Sequence, residues 1–419
     1  MKADQIEVRS IHNEDEYEQV MQILDKAFAV GRQFFHTRMS NDSAYDASTT
    51  WIVKKGDSVT STIQVFPVHC RIGDQAVKVG GLGSVATDEA FRGQGHSQSI
   101  LRGLTDWMEE EQYDLSLLYT GITPFYEKFG WNVVPQPQYQ LNAEQLSALA
   151  SSNPSGSYTI IPFDSSYTND IASIYERYNH NRTNTAIRSE AYWNDLQKWP
   201  RWQANDKLIA LHDGKPVAYG VISALVNDSY CFLDELCYLD GHEAAVLPLL
   251  QQLLQTRNGL KELFAYLPDD HVFADFILKS GGQCTMYGSV MWKVIRFLPM
   301  LAKLQDRLQQ RLVSSSYADK ELSIKLVCAQ HKAYFHYADH KLAIEAEEDI
   351  ERTYLTIELS QSLFVGALLL GIDFMIEEQS SGKDPLSKQM ADALSAEARE
   401  ILQILFPHQA STYYNLDRF

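Results

Sequence analysis

Apolar side chains recur at helical spacing between Glu14 and Phe28, at Tyr17, Val20, Met21, Leu24 and Phe28, and Asn13 stands where its side chain can cap the first turn. A helix is predicted there. The pattern then changes to alternation, and Val59 to Val68 and Gln75 to Thr87 predict consecutive strands turning at Ile72-Gly73-Asp74. From Gly95 to Gln112, Ile100, Leu101, Leu104, Trp107 and Met108 share one helical face. Leu115 to Tyr119 predicts a short buried strand, and Pro124 to Phe129 a short helix stopped by Gly130. The polar run Ser151-Ser152-Asn153-Pro154-Ser155-Gly156-Ser157 breaks all periodicity and predicts a linker.

The same order of elements returns more weakly. Ile171 to Tyr178 is helical, Lys207 to His212 and Pro216 to Ile222 make a hairpin about Asp213-Gly214-Lys215, and Cys231 to Leu239 is a strand. A helix from Val246 to Gln255, a strand from Glu262 to Leu267, a helix from His271 to Lys279 and a last strand to Ile295 follow. The order suggests duplication of one α+β unit. A third α+β segment starts near Phe297, with a helix from Leu298 to Leu312, strands at Leu322 to Gln330, Ala333 to Ala346 and Tyr354 to Leu359, then helices at Gln361 to Leu370 and Leu386 to Leu405. Three domains are expected, 1–150, 151–296 and 297–419, in keeping with one domain per roughly 100–200 residues.

Composition is ordinary for a globular protein, with 45% hydrophobic and 21% charged residues. The start has no signal-peptide pattern, and the longest apolar run, Leu363 to Ile372, is far short of the roughly 20 residues a spanning helix needs. A cytoplasmic location with no membrane partner is expected. Cys70, Cys231, Cys237, Cys284 and Cys328 form no CxxC and read as buried packing residues. The 36 basic and 54 acidic side chains leave a net charge of −18, which repels nucleic acid and favours cationic partners.

Chemistry is concentrated between Val85 and Trp131. Val85-Ala86-Thr87-Asp88-Glu89-Ala90-Phe91-Arg92-Gly93-Gln94-Gly95-His96-Ser97 is an apolar strand running through a glycine-rich turn into an amphipathic helix. A diphosphate needs converging backbone N–H groups without side-chain obstruction, which a helix start behind Gly93 and Gly95 provides, and Arg92 adds a cation. The overlapping Gly81-Leu82-Gly83-Ser84-Val85-Ala86 fits a dinucleotide fingerprint, but there the glycines should follow a strand and open a helix, and here they precede strand residues. After Leu239 the second unit reads Asp240-Gly241-His242-Glu243, without arginine or a second glycine, so no cofactor is expected there. His331, His336 and His340 would suit a metal only on a helix, and their surroundings alternate as strand and turn, so no metal site is expected.

The Arg92 to Ser97 turn resembles motif A of GNAT acetyltransferases, Q/R-x-x-G-x-G/A, with Ser97 in the final position, and Tyr126-Glu127-Lys128-Phe129-Gly130-Trp131 resembles that family's Y-x-x-x-G-[FYW] signature. The resemblance implies acetyl-CoA as cosubstrate, held by Val85, Ala86, Thr87, Arg92, Gly93, Gln94, Gly95, His96, Ser97, Gln98, Gly121 and Ile122. Tyr126 is then the general acid that protonates the departing thiolate, a role a phenol of pKa about 10 can fill. Two such units followed by a third α+β domain resemble the enhanced intracellular survival (Eis) family, whose third domain is like sterol carrier proteins. That likeness implies a homohexamer, and amine acceptors that are polycationic: aminoglycosides, polyamines or lysine side chains. It also implies that the C-terminal carboxylate, here of Phe419, serves as general base. The aromatic and apolar end Tyr413-Tyr414-Asn415-Leu416-Asp417-Arg418-Phe419 is unlike a free tail and predicts a docked terminus. Asp25 and Asp417 could add local negative charge but lie in no motif. The competing expectation is a non-catalytic acyl-CoA or lipid-binding protein with vestigial GNAT units, its ligand lying along Phe364 to Ile372.

Overall fold

A computed structural model describes residues 6–152, 156–255, 257–379 and 384–419. Asn153, Pro154 and Ser155 of the expected linker lie outside the described residues. The first segment supplies strands β1 (Ile6–Ser10), β2 (Thr50–Lys55), β3 (Ser58–Ile72), β4 (Gln75–Thr87), β5 (Leu115–Tyr119), β6 (Asn132–Val133) and β7 (Gln136–Asn142). The second supplies β8 (Thr159–Pro162), β9 (Thr183–Ala186), β10 (Asp206–His212), β11 (Lys215–Ile222), β12 (Tyr230–Tyr238), β13 (Glu262–Ala265), β14 (Gln283–Tyr287) and β15 (Val290–Val294). The third supplies β16 (Leu322–Cys328), β17 (His331–Ala338), β18 (Lys341–Glu345) and β19 (Leu355–Leu359).

Strand order relates the first two units and reveals an exchange between them. One sheet runs β1-β2-β3-β4-β5-β15-β6, with β9 attached to β3; the other runs β8-β10-β11-β12-β13-β7-β14. Position for position the two match, including the parallel pairs β4–β5 and β12–β13. The sixth place of each sheet is filled by a strand of the other unit, β15 antiparallel to β5 and β7 antiparallel to β13. The chain therefore crosses between sheets at 134–135 and again at 288–289, and sheet membership does not divide at residue 150. The single strand expected up to Ile295 is two strands in different sheets, parted at Gly288 and Ser289. Exchange of this kind ties the units by main-chain hydrogen bonds as well as by side-chain packing.

Helices α1 (Glu14–Ala27), α2 (Arg32–Ser40), α3 (His96–Glu110) and α4 (Thr123–Glu127) belong to the first unit. Asn13 caps α1 by accepting the Glu16 N–H at 3.0 Å. The α1 and α3 stripes bury Val20, Met21, Leu24, Ile100, Leu101, Leu104 and Met108. The other face of the first sheet, carrying Val77, Val79, Leu115 and Leu117, shares one apolar core with the third segment through the helices Phe297–Val313 and Gln361–Leu370. Gln361 fixes that contact: its amide donates to Gly130 O at 2.6 Å and to Asn132 Oδ1 at 2.7 Å, and its Oε1 accepts the Val294 N–H at 2.9 Å.

The third sheet runs β18-β17-β16-β19. The long run Ala333 to Ala346 is two strands, because Asp339 and His340 both take left-handed backbone conformations and turn the chain. The long helix expected from Leu386 to Leu405 is also two, Pro385–Ala393 and Ala396–Leu405, since Ser395 restarts the helix by accepting the Ala398 N–H at 3.1 Å. Every residue of Gln361–Leu370 is buried, and a β-carbon at Gly366 would collide with Met375, so this apolar run is packed core. His331 stacks on Phe297, His336 faces Ser323 and His340 faces Asp319, each histidine with a different neighbour. Of the five cysteines expected to be buried, Cys70, Cys231, Cys237 and Cys328 are, and Cys284 is exposed.

Candidate active site

β4 and β5 pair only from Val79↔Leu115 to Leu82↔Leu118, although β4 continues to Thr87. Beyond Leu82 the two strands part, and Val85, Ala86 and Thr87 have no strand neighbour on that side. On its other side β4 bulges: Gln64 pairs with Gly83 and Thr62 with Ala86, and Ser84 takes φ +52°. A bulge at a sheet opening re-aims backbone groups that a regular ladder would bind. The β5-facing side of Val85 to Thr87 is thereby left out of the ladder among the described residues.

The glycine turn follows directly, between the end of β4 and the start of α3. Gly93 and Gly95 have φ of +77° and +80°, and no atom lies within 4 Å of where a Gly93 β-carbon would sit. Gly95 is the N-cap of α3 and offers no side chain, so among the described residues the first N–H groups of that helix, at His96, Ser97 and Gln98, have no capping side chain. Arg92 is exposed and, among the described residues, pairs only with Glu89 at 3.3 Å, a surface pair that a diphosphate could displace. The turn therefore fits an anion by space, conformation and dipole. The His96 ring points inward instead. Its Nδ1 is 2.6 Å from Thr60 Oγ1, and burial holds the imidazole below its ordinary pKa, so His96 contributes its main chain while its ring anchors the turn.

The matching turn in the second unit is closed from within. Gly241 N–H donates to the Glu243 side chain at 3.1 Å, which places a carboxylate where an anion would bind. β12 and β13 also part after Leu233, but Tyr414, Asn415 and Leu416 of the C-terminal tail lie there, with Tyr414 and Leu416 in the second unit's core. Asn415 donates to Asp234, and Tyr414 donates to Asn179 at 3.2 Å.

Tyr126 lies on α4, directly past the end of β5. Gly130, at φ +87°, turns the chain back so that the Trp131 N–H reaches Tyr126 O at 3.3 Å, and the Trp131 indole donates to Ser116 Oγ at 3.1 Å. The Tyr126 ring is buried edge-on against Phe125 in the cluster that includes Leu82, Leu118 and Val85. Burial pushes the phenol up to about 12. Gly121 and Ile122 open α4 at the surface, Ile122 being 61% exposed.

Phe419 arrives from the opposite face. Its ring stacks on Phe66 with centroids 5.5 Å apart and lies 6.0 Å from Tyr119, bridging β3 and β5 over β4. A β-carbon at Gly81 would overlap that ring, and one at Gly83 would stand 3.5 Å from the terminal carboxyl carbon. The Gly81-Leu82-Gly83 pattern is thus a seat for the C-terminus. The tail is held along its length: Thr183 pairs with Ala410 and Thr412 main-chain atoms, Gln136 donates to Tyr413 O at 3.0 Å, and Arg418 lies over Tyr119 and Tyr266. Deepest of these anchors is Arg188, which donates to Asp417 at 2.9 Å and to Glu235 at 3.0 Å, all three side chains being 0% exposed. Tyr192 adds a 2.8 Å bond to Asp417, and Tyr219 one to Glu235.

No curated protein sequence matches the chain. The acetyltransferase (GNAT) domain model matches residues 7–134. Residues 7–134 form a GNAT domain. That span ends one residue past β6, at the point where the chain leaves the first sheet. Over the whole chain the fold is similar to a probable N-acyltransferase of unknown function from Enterococcus faecalis, at 14% identity and TM-score 0.69 over 98% of this chain and 99% of that one. It is similar to a GCN5-related N-acetyltransferase from Anabaena variabilis at 12% identity and TM-score 0.70, covering 99% and 100% of the two chains. Eis1 from Mycobacterium abscessus is similar at 11% identity and TM-score 0.66, with coverage of 99% and 100%. These likenesses are of fold.

Within residues 7–134, Val85 to Thr87, the Arg92 to Gln98 turn and Tyr126 stand at the end of the first sheet where β4 and β5 part, and Phe419 packs against Gly81 and Gly83. Sequence reasoning did not find Ser84, Phe66, Trp199, Arg201 or the Arg188 cluster. A serine in the left-handed region carries no sequence signature, and the rest are ordinary aromatic and charged residues brought together from distant segments.

Proposed function

We propose that the protein is an acetyl-CoA-dependent N-acetyltransferase with one active site per chain, lying in the split between β4 and β5. The observation that carries this reading is the seating of the Phe419 carboxyl group at Gly83, on one face of the sheet, with the Tyr126 phenol on the other and the strands parted between them. Acetyl-CoA, as substrate, supplies a thioester whose C–S bond breaks as the C–N bond to the acceptor forms. The α3 amides behind Gly93 and Gly95 bind its diphosphate, with Arg92 closing over it. Main-chain N–H groups of Val85 to Thr87 donate to the carbonyl oxygen as it gains charge. The Phe419 carboxylate takes a proton from the acceptor nitrogen, and Tyr126 gives its proton to the departing sulfur. A phenol raised to about 12 stays protonated at neutral pH and is ready to donate.

Tyr126→Phe removes the donated proton and keeps the ring. Thiol release is expected to fall about 100-fold in kcat with little change in acetyl-CoA affinity, which stopped assays and calorimetry together check. Because the raised pKa keeps the wild-type phenol protonated, its rate should show no falling alkaline limb between about pH 7 and 10. Undiminished kcat in the phenylalanine variant would remove Tyr126 from the mechanism.

A further inference from the structure

Phe419 lines a cavity of about 240 Å³ built from four parts of the chain: the α1–α2 region with Phe28 and Phe34, β3 with Phe66, the second unit with Trp199 and Arg201, and the tail. Its size is below the roughly 300–1,000 Å³ of sites for drug-sized ligands. Its walls are aromatic and apolar, and its charged lining is arginine. The Arg38 guanidinium lies 3.3 Å from the Trp199 ring centroid, Arg201 donates to Asn415 O at 2.6 Å, and Arg418 is stacked on tyrosines. No acidic side chain lines this cavity among the described residues.

The nearby carboxylates are already engaged. Asp42 pairs with Arg38, Asp25 accepts the Arg32 N–H at 2.7 Å, and Asp417 is bound by Arg188. Asp234, in the neighbouring cavity beyond Arg201, accepts from Asn205 and Asn415, and burial raises its pKa and so disfavours its charge. A polycationic acceptor, the class implied by the family resemblance, would meet several cations and a single counter-charge, the terminal carboxylate. One ammonium on a flat apolar body meets a matching site: the carboxylate for the amine, and stacked rings for the remainder.

Resting on the N-acetyltransferase reading, we infer that the acceptor is a small aromatic monoamine of the arylalkylamine class, its amine at the Phe419 carboxylate and its ring among Phe28, Phe34, Phe66 and Trp199. The test measures acetyl-CoA-dependent thiol release by the full chain with 2-phenylethylamine, spermidine and kanamycin as acceptors. The expected result is a kcat/KM for 2-phenylethylamine at least about 100-fold above the other two, since a second ammonium is unpaired and the polyamine buries little apolar area. Phe28, at the rim and 37% exposed, can be truncated without opening the core, and Phe28→Ala should raise KM for 2-phenylethylamine several-fold at unchanged kcat. Faster turnover of spermidine or kanamycin overturns the acceptor assignment and leaves acetyl transfer standing. No turnover of any amine overturns it as well, and calorimetry then separates the cases: acetyl-CoA binding without turnover indicts the acceptor, and no binding indicts the acetyltransferase reading itself.

Discussion

A chain extended by a few residues past Phe419 is expected to lose about 1,000-fold in the rate of thiol release while binding acetyl-CoA as before. Two effects combine. The extension converts the terminal carboxylate to an amide, which cannot take the acceptor proton, and general-base catalysis is worth about 10²–10⁴-fold. The added residues must also leave a seat with little spare room, because the Phe419 ring lies against Gly81 between Phe66 and Tyr119, and the carboxyl carbon lies against Gly83. Displacement of the amine-binding group by even 1 Å reduces the rate further. The glycine turn is on the other side of the split, so cofactor affinity should not change. Steady-state rates beside calorimetric titration of acetyl-CoA distinguish this outcome from general misfolding.

The largest expected effect on stability is that of Arg188→Met. Burial works against the charge of this guanidinium, and Asp417 and Glu235 more than reverse that, holding its pKa well above the ordinary value. Removing the arginine leaves two carboxylates fully buried with, among the described residues, only the Tyr192 and Tyr219 hydroxyls to satisfy them. Breaking a buried charge pair in this way costs about 3–5 kcal/mol. The tail should detach, since Asp417 is two residues from the terminus, and activity should fall with stability. Chemical unfolding of the variant checks the first effect. The triple change Arg188→Met, Glu235→Gln, Asp417→Asn should recover part of the stability, because no buried charge then lacks a partner.

Much of the first unit was legible in its pattern. The α1 cap at Asn13, the α3 stripe, the turn at Gly73 and the halt at Gly130 are local devices, and each is where local chemistry required it. Helix α2 was not legible: Phe34 and Phe35 are adjacent, so its apolar residues form no single stripe. The strand exchange was invisible for a different reason. Alternation states which residues of β7 and β15 are buried, and is the same whichever sheet receives the strand. The turn at Gly93 and Gly95 could be read because both glycines take positive φ in one short local segment. The cavity lined by Phe419 could not, since its walls come from the α1–α2 region, β3, Trp199 to Arg201 and the tail, and aromatic residues in four distant segments look like any core. Gly81 and Gly83 show how close the two cases are: as a motif they suggest a dinucleotide, and in the fold they are the space that the C-terminus fills.

If the Phe419 carboxylate is the catalytic base, its conversion to an uncharged group must by itself stop proton removal from the acceptor. Semisynthesis of the chain with a C-terminal carboxamide replaces one oxygen of Phe419 with nitrogen and leaves the ring, the tail and the Arg188 cluster unchanged. Single-turnover thiol release with acetyl-CoA and an amine acceptor is then the direct measurement. A fall of about 100-fold or more, with acetyl-CoA affinity and unfolding midpoint retained, is the predicted result. A carboxamide enzyme that acetylates at the wild-type rate would contradict the account.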